Sequence, residues 1–277
     1  FVGRYLRDHL SARGWDIVAV DNAPGEETLR CDITDAVLVE ALIANAAPLS
    51  HVFHLAALTF VPDAQKNPAR AMRVNIEGTV NVAEALRRHC PGARLVNISS
   101  AEVYGPPQYL PIDESHPLNP AIPYAISKAA ADHYCAFLAS GFGLDVVRMR
   151  PFNHSGAGQT ENFVLPAFAR QIARIETGRC APQLHVGNLD AARDFSHVRD
   201  VVCAYEDAAL NAEGGQAYNV CSGRAIRIGD ALDKLLALSS CAIEVVVDSE
   251  RLRPVDIPEI YGSHHKLTEK CGWQPEI

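Results

Sequence analysis

Short β-branched segments alternate with helical patterns along this chain, and no hairpin turn signal lies between them. The segments Asp16-Ile17-Val18-Ala19-Val20-Asp21, His51-Val52-Phe53-His54-Leu55-Ala56-Ala57, Arg94-Leu95-Val96-Asn97-Ile98 and Leu144-Asp145-Val146-Val147-Arg148-Met149 are rich in apolar residues. Strands of that kind, each reached through a helix, pair in parallel and are covered on both faces. The predicted fold is therefore α/β, a doubly wound parallel sheet. Open sheets of this type bind ligands beyond the carboxyl ends of their strands. That singles out Leu55-Ala56-Ala57, where small side chains let a ligand approach the backbone, and Ser99-Ser100-Ala101-Glu102-Val103-Tyr104-Gly105.

The chain opens inside a helical pattern. Phe1-Val2-Gly3-Arg4-Tyr5-Leu6 reads as first turns, with Leu6 and Leu10 on one side and Gly14 as the stop. A helix leading to a strand that ends in an acid, Asp21, resembles the second half of a dinucleotide-binding βαβ unit, where the acid takes a ribose 2′-hydroxyl. On that likeness Gly3 is the third glycine of a G-x-x-G-x-x-G turn, and a first strand with most of the turn is expected ahead of residue 1. The 277 residues, 48% hydrophobic, suffice for one large domain or two moderate ones. The polar, glycine-rich loop from Arg150 to Gln159 is too long for a mere connector and predicts a boundary near 150.

Charge narrows the partners. A formal net charge of -8 and the lack of any Lys/Arg run argue against nucleic acid or an anionic membrane as the main partner. No apolar run approaches the roughly 20 residues that span a bilayer, and no signal peptide is expected. The eight cysteines are scattered without C-x-x-C pairs, which favours reduced cytoplasmic thiols. His51 and His54 face opposite sides of a strand, so they read as sheet histidines and no metal is expected.

In Pro123-Tyr124-Ala125-Ile126-Ser127-Lys128 a phenol and an ammonium share one face of a predicted helix. The ammonium favours the phenolate, drawing a group of ordinary pKa about 10 toward neutrality. Such a pair suits general acid/base work on an alcohol or a carbonyl. Taken singly, Lys128 also reads as a solvated helix lysine, Ser100 as a capping hydroxyl at a strand end, and Asp21 as a surface acid before a turn.

Taken together, Ser100, the Tyr-x-x-x-Lys pair, the strand-end acid and the His-Leu-Ala-Ala segment resemble the extended short-chain dehydrogenase/reductase family acting on nucleotide sugars, over nearly the whole chain. RPFNHSGAGQ, FVLPAFARQIA, VGNLDAARDFSHVRDVV, YNVCSG and RLRPVDIP look most like the branch of GDP-4-keto-6-deoxymannose reductases, which make GDP-rhamnose. GDP-mannose 4,6-dehydratases are near, and 4-epimerases further away. The resemblance implies a Rossmann-type domain over 1–150 and a smaller, mostly C-terminal α/β substrate domain over 151–277, with 184–220 partly returning to the first sheet. It implies a GDP-sugar substrate, a nicotinamide cofactor, and a homodimer built on a four-helix bundle of the long helices flanking the site.

Carried over by position, Ser100 holds the sugar oxygen, Tyr124 donates the proton, and Lys128 binds the nicotinamide ribose and lowers the tyrosine pKa. Asp21 takes the adenosine ribose and Asp32 and Ile33 flank adenine. Without a basic neighbour for a 2′-phosphate, Asp21 favours NAD(H) over NADP(H). Asn153 meets the substrate diphosphate, and Val164 and Asn188 line the guanosine pocket. Arg193 and Arg253, with Asp256 close by in sequence, are the diphosphate clamps, since guanidinium forks suit phosphate oxygens. Ordinary surface pairs with Asp194 or Asp256 are the plain alternative for those arginines.

Glu102 keeps a second chemistry open. In the dehydratases an acid two positions after the catalytic Ser/Thr takes the C5 proton and helps eliminate water, and reductases of this branch carry one too. The expected reaction is reduction of a GDP-4-keto-6-deoxyhexose at C4. Dehydratase or epimerase action with Glu102 as acid/base is the alternative, and a non-catalytic dinucleotide sensor is the alternative of another class.

Overall fold

In the computed structural model, which describes residues 1–23, 25, 28–251 and 257–277, the chain opens on α1 (Val2–Ala12), with Leu6 and Leu10 buried and Gly14 at φ 82° beyond its end. The strand expected over 16–21 forms a ladder only at β1 (Val20–Asp21), beside β2 (Leu29–Arg30). β2 is the one strand paired with it among the described residues, so Asp16–Ile17–Val18 lack ladder partners. α2 (Ala36–Ala46) is capped by the Asp35 carboxylate, which accepts from the amides of Val37 and Leu38. β3 (His51–His54) follows. The long helical region beyond it is segmented into α3 (Val61–Lys66), α4 (Pro68–Met72), a π-helical turn at Arg73–Glu77, and α5 (Gly78–His89). β4 (Arg94–Ile98) leads to a 3₁₀ turn at Ala101–Tyr104. α6 (Pro123–Phe142), with proline in its first turn, ends at Gly143 with φ 68°.

β5 (Val146–Pro151), β6 (Asn153–Ser155), α7 (Val164–Glu176), β7 (Gln183–Val186), β8 (Ala192–Arg193) and β9 (Phe195–His197) come next. They are followed by α8 (Val198–Asn211), β10 (Ala217–Val220), β11 (Ile226–Arg227), α9 (Ile228–Leu236), β12 (Glu244–Val247), β13 (Glu259–Ile260) and α10 (His265–Cys271). α9 and α10 were absent from the sequence expectation; both are short, and α10 rests on one fully buried apolar residue, Leu267.

The central sheet runs β10-β5-β4-β3, all parallel. It is the Rossmann-like α/β sheet that the alternation predicts. Successive side chains point to opposite faces. Val96 and Ile98 pack with Val147, Met149, Leu6 and the α8 residues Val201 and Tyr205, while Leu95 and Val146 pack with Val82, Leu86 and Leu138 of α5 and α6. Each such side chain, fully buried, contributes about 1.5–3 kcal/mol. A separate core of Phe168, Ile172, Leu184, Val186 and Leu232 joins α7, β7 and α9.

The two strand histidines have structural partners. His54 is buried and its Nε2 pairs with Thr79 Oγ1 at 3.0 Å, whereas His51 Nε2 meets the Ala209 carbonyl at 3.2 Å. Among the described residues no helix is long and apolar enough to cross a membrane.

Candidate active site

The carboxyl ends of the central strands open on one continuous cavity. Tyr124 and Lys128 enter it from the first turns of α6, where Pro123 fixes the helix start. Ser100 enters from the end of β4: it sits in extended backbone, φ -162°, and its Oγ accepts from the Glu102 amide at 3.2 Å, capping the 3₁₀ turn. Its hydroxyl lies near enough to the Tyr124 phenol to favour the phenolate. The Ser100 hydroxyl, from a strand end 24 residues before Tyr124, thus converges on one wall with the phenol and ammonium of α6.

Burial decides their ionisation. It pushes the Tyr124 phenol up to about 12, and the Ser100 hydroxyl offsets only part of this while the Glu102 charge adds to it. The sequence expectation that Lys128 lowers this pKa is corrected here. The Lys128 Nζ donates to the Ile98 carbonyl, and desolvation outweighs any help to a phenolate. Burial draws Lys128 itself down to about 8, against the smaller pull of Cys135 and Asp132. Glu102 is exposed and lines the same cavity.

Asn75 holds this wall together and carried no sequence signal, because a polar residue within a helical run ordinarily faces water. The π turn turns it inward, where only 1% of it is exposed. Its Oδ1 accepts from the Leu58 amide at 2.7 Å, and its Nδ2 donates to the Leu58 carbonyl and to Ser127 Oγ. Ser127 in turn donates to the Tyr124 carbonyl at 2.8 Å. One amide therefore ties the loop after β3 to the first turn of α6; π turns recur at functional sites.

The remaining predicted residues line the same cavity at its two ends. Gly3 lies in the first turn of α1, and a Cβ built on it meets nothing within 4 Å, so the backbone is open to the cleft. A helix N-terminus there suits a diphosphate. Asp21 is exposed, with Oδ1 accepting from the Ala23 amide at 2.9 Å. The absence of a basic neighbour holds only along the sequence, since Arg30 is the in-register partner of Asp21. Asp32 accepts from the amide and hydroxyl of Thr34, which with Arg73 and Arg70 nearby hold its carboxyl below the usual range. Ile33 fits against Gly78, where a Cβ would stand 2.4 Å from its Cδ1. Leu55, Ala56 and Ala57 complete this end.

At the other end stand Asn153, Val164, Asn188 and Arg193. Arg193 Nη1 donates to the Ala192 and Ile257 carbonyls, each at 2.8 Å, which fixes the guanidinium at the cavity wall. His154, Gln159 and His185 line this end as well and were missed from sequence. Arg253 and Asp256 lie outside the described residues. Open backbone at Gly3, a strand-end carboxylate and small residues at 56 and 57 fit a dinucleotide, and the space beyond Ser100 leaves room for a second ligand.

Comparison with known proteins bears on the same features. The family model for GDP-mannose 4,6 dehydratase matches residues 1–277. The chain is 37% identical to the GDP-6-deoxy-D-mannose reductase of Pseudomonas aeruginosa, over 100% of this chain and 90% of that protein. The solved structure of RMD from Pseudomonas aeruginosa complexed with NADPH superposes with a TM-score of 0.88 at 36% identity, covering 100% of this chain and 91% of the other. The Thermus thermophilus UDP-glucose 4-epimerase complex with NAD superposes with a TM-score of 0.86 at 29% identity, covering 100% and 91%.

Proposed function

The chain belongs to the GDP-mannose 4,6 dehydratase family of extended short-chain dehydrogenase/reductases, and from that premise we propose that it reduces the C4 keto group of a GDP-4-keto-6-deoxyhexose. The observation that carries this reading is the convergence of the Ser100 hydroxyl, the Tyr124 phenol and Lys128 on one wall of the cleft, with Ser100 near enough to the phenol to favour its ionised form. A nicotinamide dinucleotide held along Gly3, Asp21, Ala56 and Ala57 would supply the hydride. Ser100 and Tyr124 meet the C4 oxygen as it gains charge, and Tyr124 passes it the phenolic proton. Donors already in place stabilise charge that develops only in the transition state, so they raise the rate. Identity to the Pseudomonas reductase supports the substrate class.

Domain roles follow the two ends of the cavity: residues 1–150 hold the dinucleotide, and 151–277 mainly hold the nucleotide sugar, with Asn153 and Arg193 toward its diphosphate and Val164 and Asn188 toward the base. The enzyme works in the cytoplasm as a homodimer. Apolar rings exposed on α6, Phe137 and Phe142, cluster with Arg87 of α5 and support packing of that helix pair against a second copy.

NADH is the preferred form of the cofactor, because the exposed Asp21 carboxylate repels a 2′-phosphate. Asp21→Asn is expected to raise the ratio of kcat/KM with NADPH to that with NADH by roughly tenfold, the scale of one charge repulsion at a solvated site. Arg30, in register with Asp21, would then face the phosphate unopposed. An unchanged ratio removes Asp21 from cofactor selection.

Lys128 sets the alkaline limit. Its proton leaves near pH 8, so kcat/KM is expected to fall about tenfold per pH unit above that point. Stability runs the other way. Burying the ammonium costs free energy fully below pH 8, and the cost is relieved as pH rises toward the unfolded value of 10.5. A pH profile of turnover beside one of denaturant midpoint checks both signs.

A dehydratase reading draws support from the Glu102 carboxylate, which lines the cleft and is close enough to raise the Tyr124 pKa. Glu102→Gln separates the two. Reduction should survive the substitution, whereas dehydration, which consumes no net cofactor, should be lost with it.

A further inference from the structure

Behind the catalytic wall lies a buried chain of hydrogen bonds, charge-assisted around Asp132, that the chemistry above does not use. Asp132 stands one turn beyond Lys128 on α6 and is wholly buried. It accepts from Arg148 Nη1 at 2.7 Å, and from Arg150 Nε and Nη2 at 3.0 Å each. The remaining Arg150 nitrogen, Nη1, donates to the Tyr104 hydroxyl at 3.0 Å, which itself donates to Asn219 Oδ1 at 2.7 Å. Asn219 Nδ2 donates to the Ile112 carbonyl at 3.0 Å.

Tyr104 closes the 3₁₀ turn whose N-cap is Ser100. That turn meets α6 at two places. Ser100 faces Tyr124 at its near end, and at its far end Tyr104 reaches back through Arg150 to Asp132, two turns along the helix from Tyr124. Such bonds are roughly twice as strong as neutral ones, and the planar guanidinium fork allows little lateral play. Tyr104 does not line the cleft and is fully buried, so it touches neither substrate nor cofactor. Burial also keeps its phenol well above the usual pKa, so it remains a hydroxyl with one acceptor and one donor bond filled.

We propose that Tyr104 is a positioning residue, which fixes the separation of the Ser100 and Tyr124 hydroxyls through the path Tyr104–Arg150–Asp132. The inference rests on the reductase reading of that pair. Removing one hydroxyl from the path frees the turn by a fraction of an ångström to an ångström, and displacements of that order cost up to about 100-fold in rate.

The test compares wild-type full chain with Tyr104→Phe, in steady-state oxidation of NADH by a GDP-4-keto-6-deoxyhexose. The expected result is a kcat lowered about 10- to 100-fold with both KM values unchanged, at a temperature well below the melting of either protein. A role in folding alone lowers the melting temperature and leaves kcat intact, which overturns the inference while the reductase reading stands. If Tyr104→Phe does not fold, Asn219→Ala, which removes the acceptor of the Tyr104 hydroxyl together with the donor to the Ile112 carbonyl, carries the same comparison with the same two outcomes. A wild-type protein that leaves the keto-sugar unreduced overturns the reductase reading, and this inference with it.

Discussion

Replacing Tyr124 by phenylalanine is expected to lower the rate of GDP-keto-sugar reduction by about 10² to 10⁴, the usual contribution of a positioned proton donor. Cofactor affinity should stay near wild type. The phenol is 8% exposed and holds its proton to about pH 12, so throughout the neutral range it is available to donate. Phenylalanine keeps the ring in its place against Ala64 and Ala71. Ser100 retains its bond from the Glu102 amide, so the lost hydroxyl costs about 1 kcal/mol of stability. Steady-state kinetics beside a melting curve checks the prediction. A rate within twofold of wild type would remove Tyr124 from the chemistry, whereas a collapsed melting temperature would show a packing role instead.

The largest effect on stability is expected from Asp132→Asn. The variant leaves the Arg148 and Arg150 guanidinium groups, 13% and 5% exposed at the side chain, without the carboxylate they share. Breaking a buried pair from one side costs about 3–5 kcal/mol, because the remaining charge is uncompensated. Against a total stability of about 5–15 kcal/mol, that is a large fraction. By contrast, Arg88→Ala, which breaks an exposed pair with Glu40, should cost about 0–1 kcal/mol. Burial alone would raise the Asp132 pKa, but Arg150 and Arg148 overcome it and hold the carboxyl down at about 2. The sign is that of a depressed acid. Its contribution is full above the unfolded value near 3.8 and is lost as pH falls through 2. Urea unfolding with an unchanged slope and a lowered midpoint is the expected readout; a midpoint shift no larger than that of the surface pair contradicts it.

Local periodicity made the frame legible. Runs such as Leu95-Val96 and Val146-Val147 are apolar on both faces because helices cover both, and no hairpin competes for them. The family was legible for a different reason: long segments such as VGNLDAARDFSHVRDVV carry its likeness independently of the catalytic trio. What sequence hid were polar groups turned inward by tertiary structure. Asp132, Arg148 and Arg150 look like solvated charges until α6 is laid across β5. Asn75 looks like a surface residue until the π turn rotates it. The expected lowering of the Tyr124 pKa failed for a related reason, since proximity along a helix gives the spacing of Lys128 but says nothing of the desolvation that outweighs it. The strand over 16–21 shows the same dependence on context: its pattern is right, but a ladder needs a partner, and β2 reaches only its end.

The most direct test of the account is stoichiometric. Purified full-length protein is mixed with a GDP-4-keto-6-deoxyhexose and a limiting, known amount of NADH, and both reduced cofactor and sugar product are counted. The account predicts one reduced cofactor consumed for each sugar reduced. Conversion of GDP-mannose with no net loss of NADH, or tight binding of NADH with every keto-sugar left intact, would contradict it.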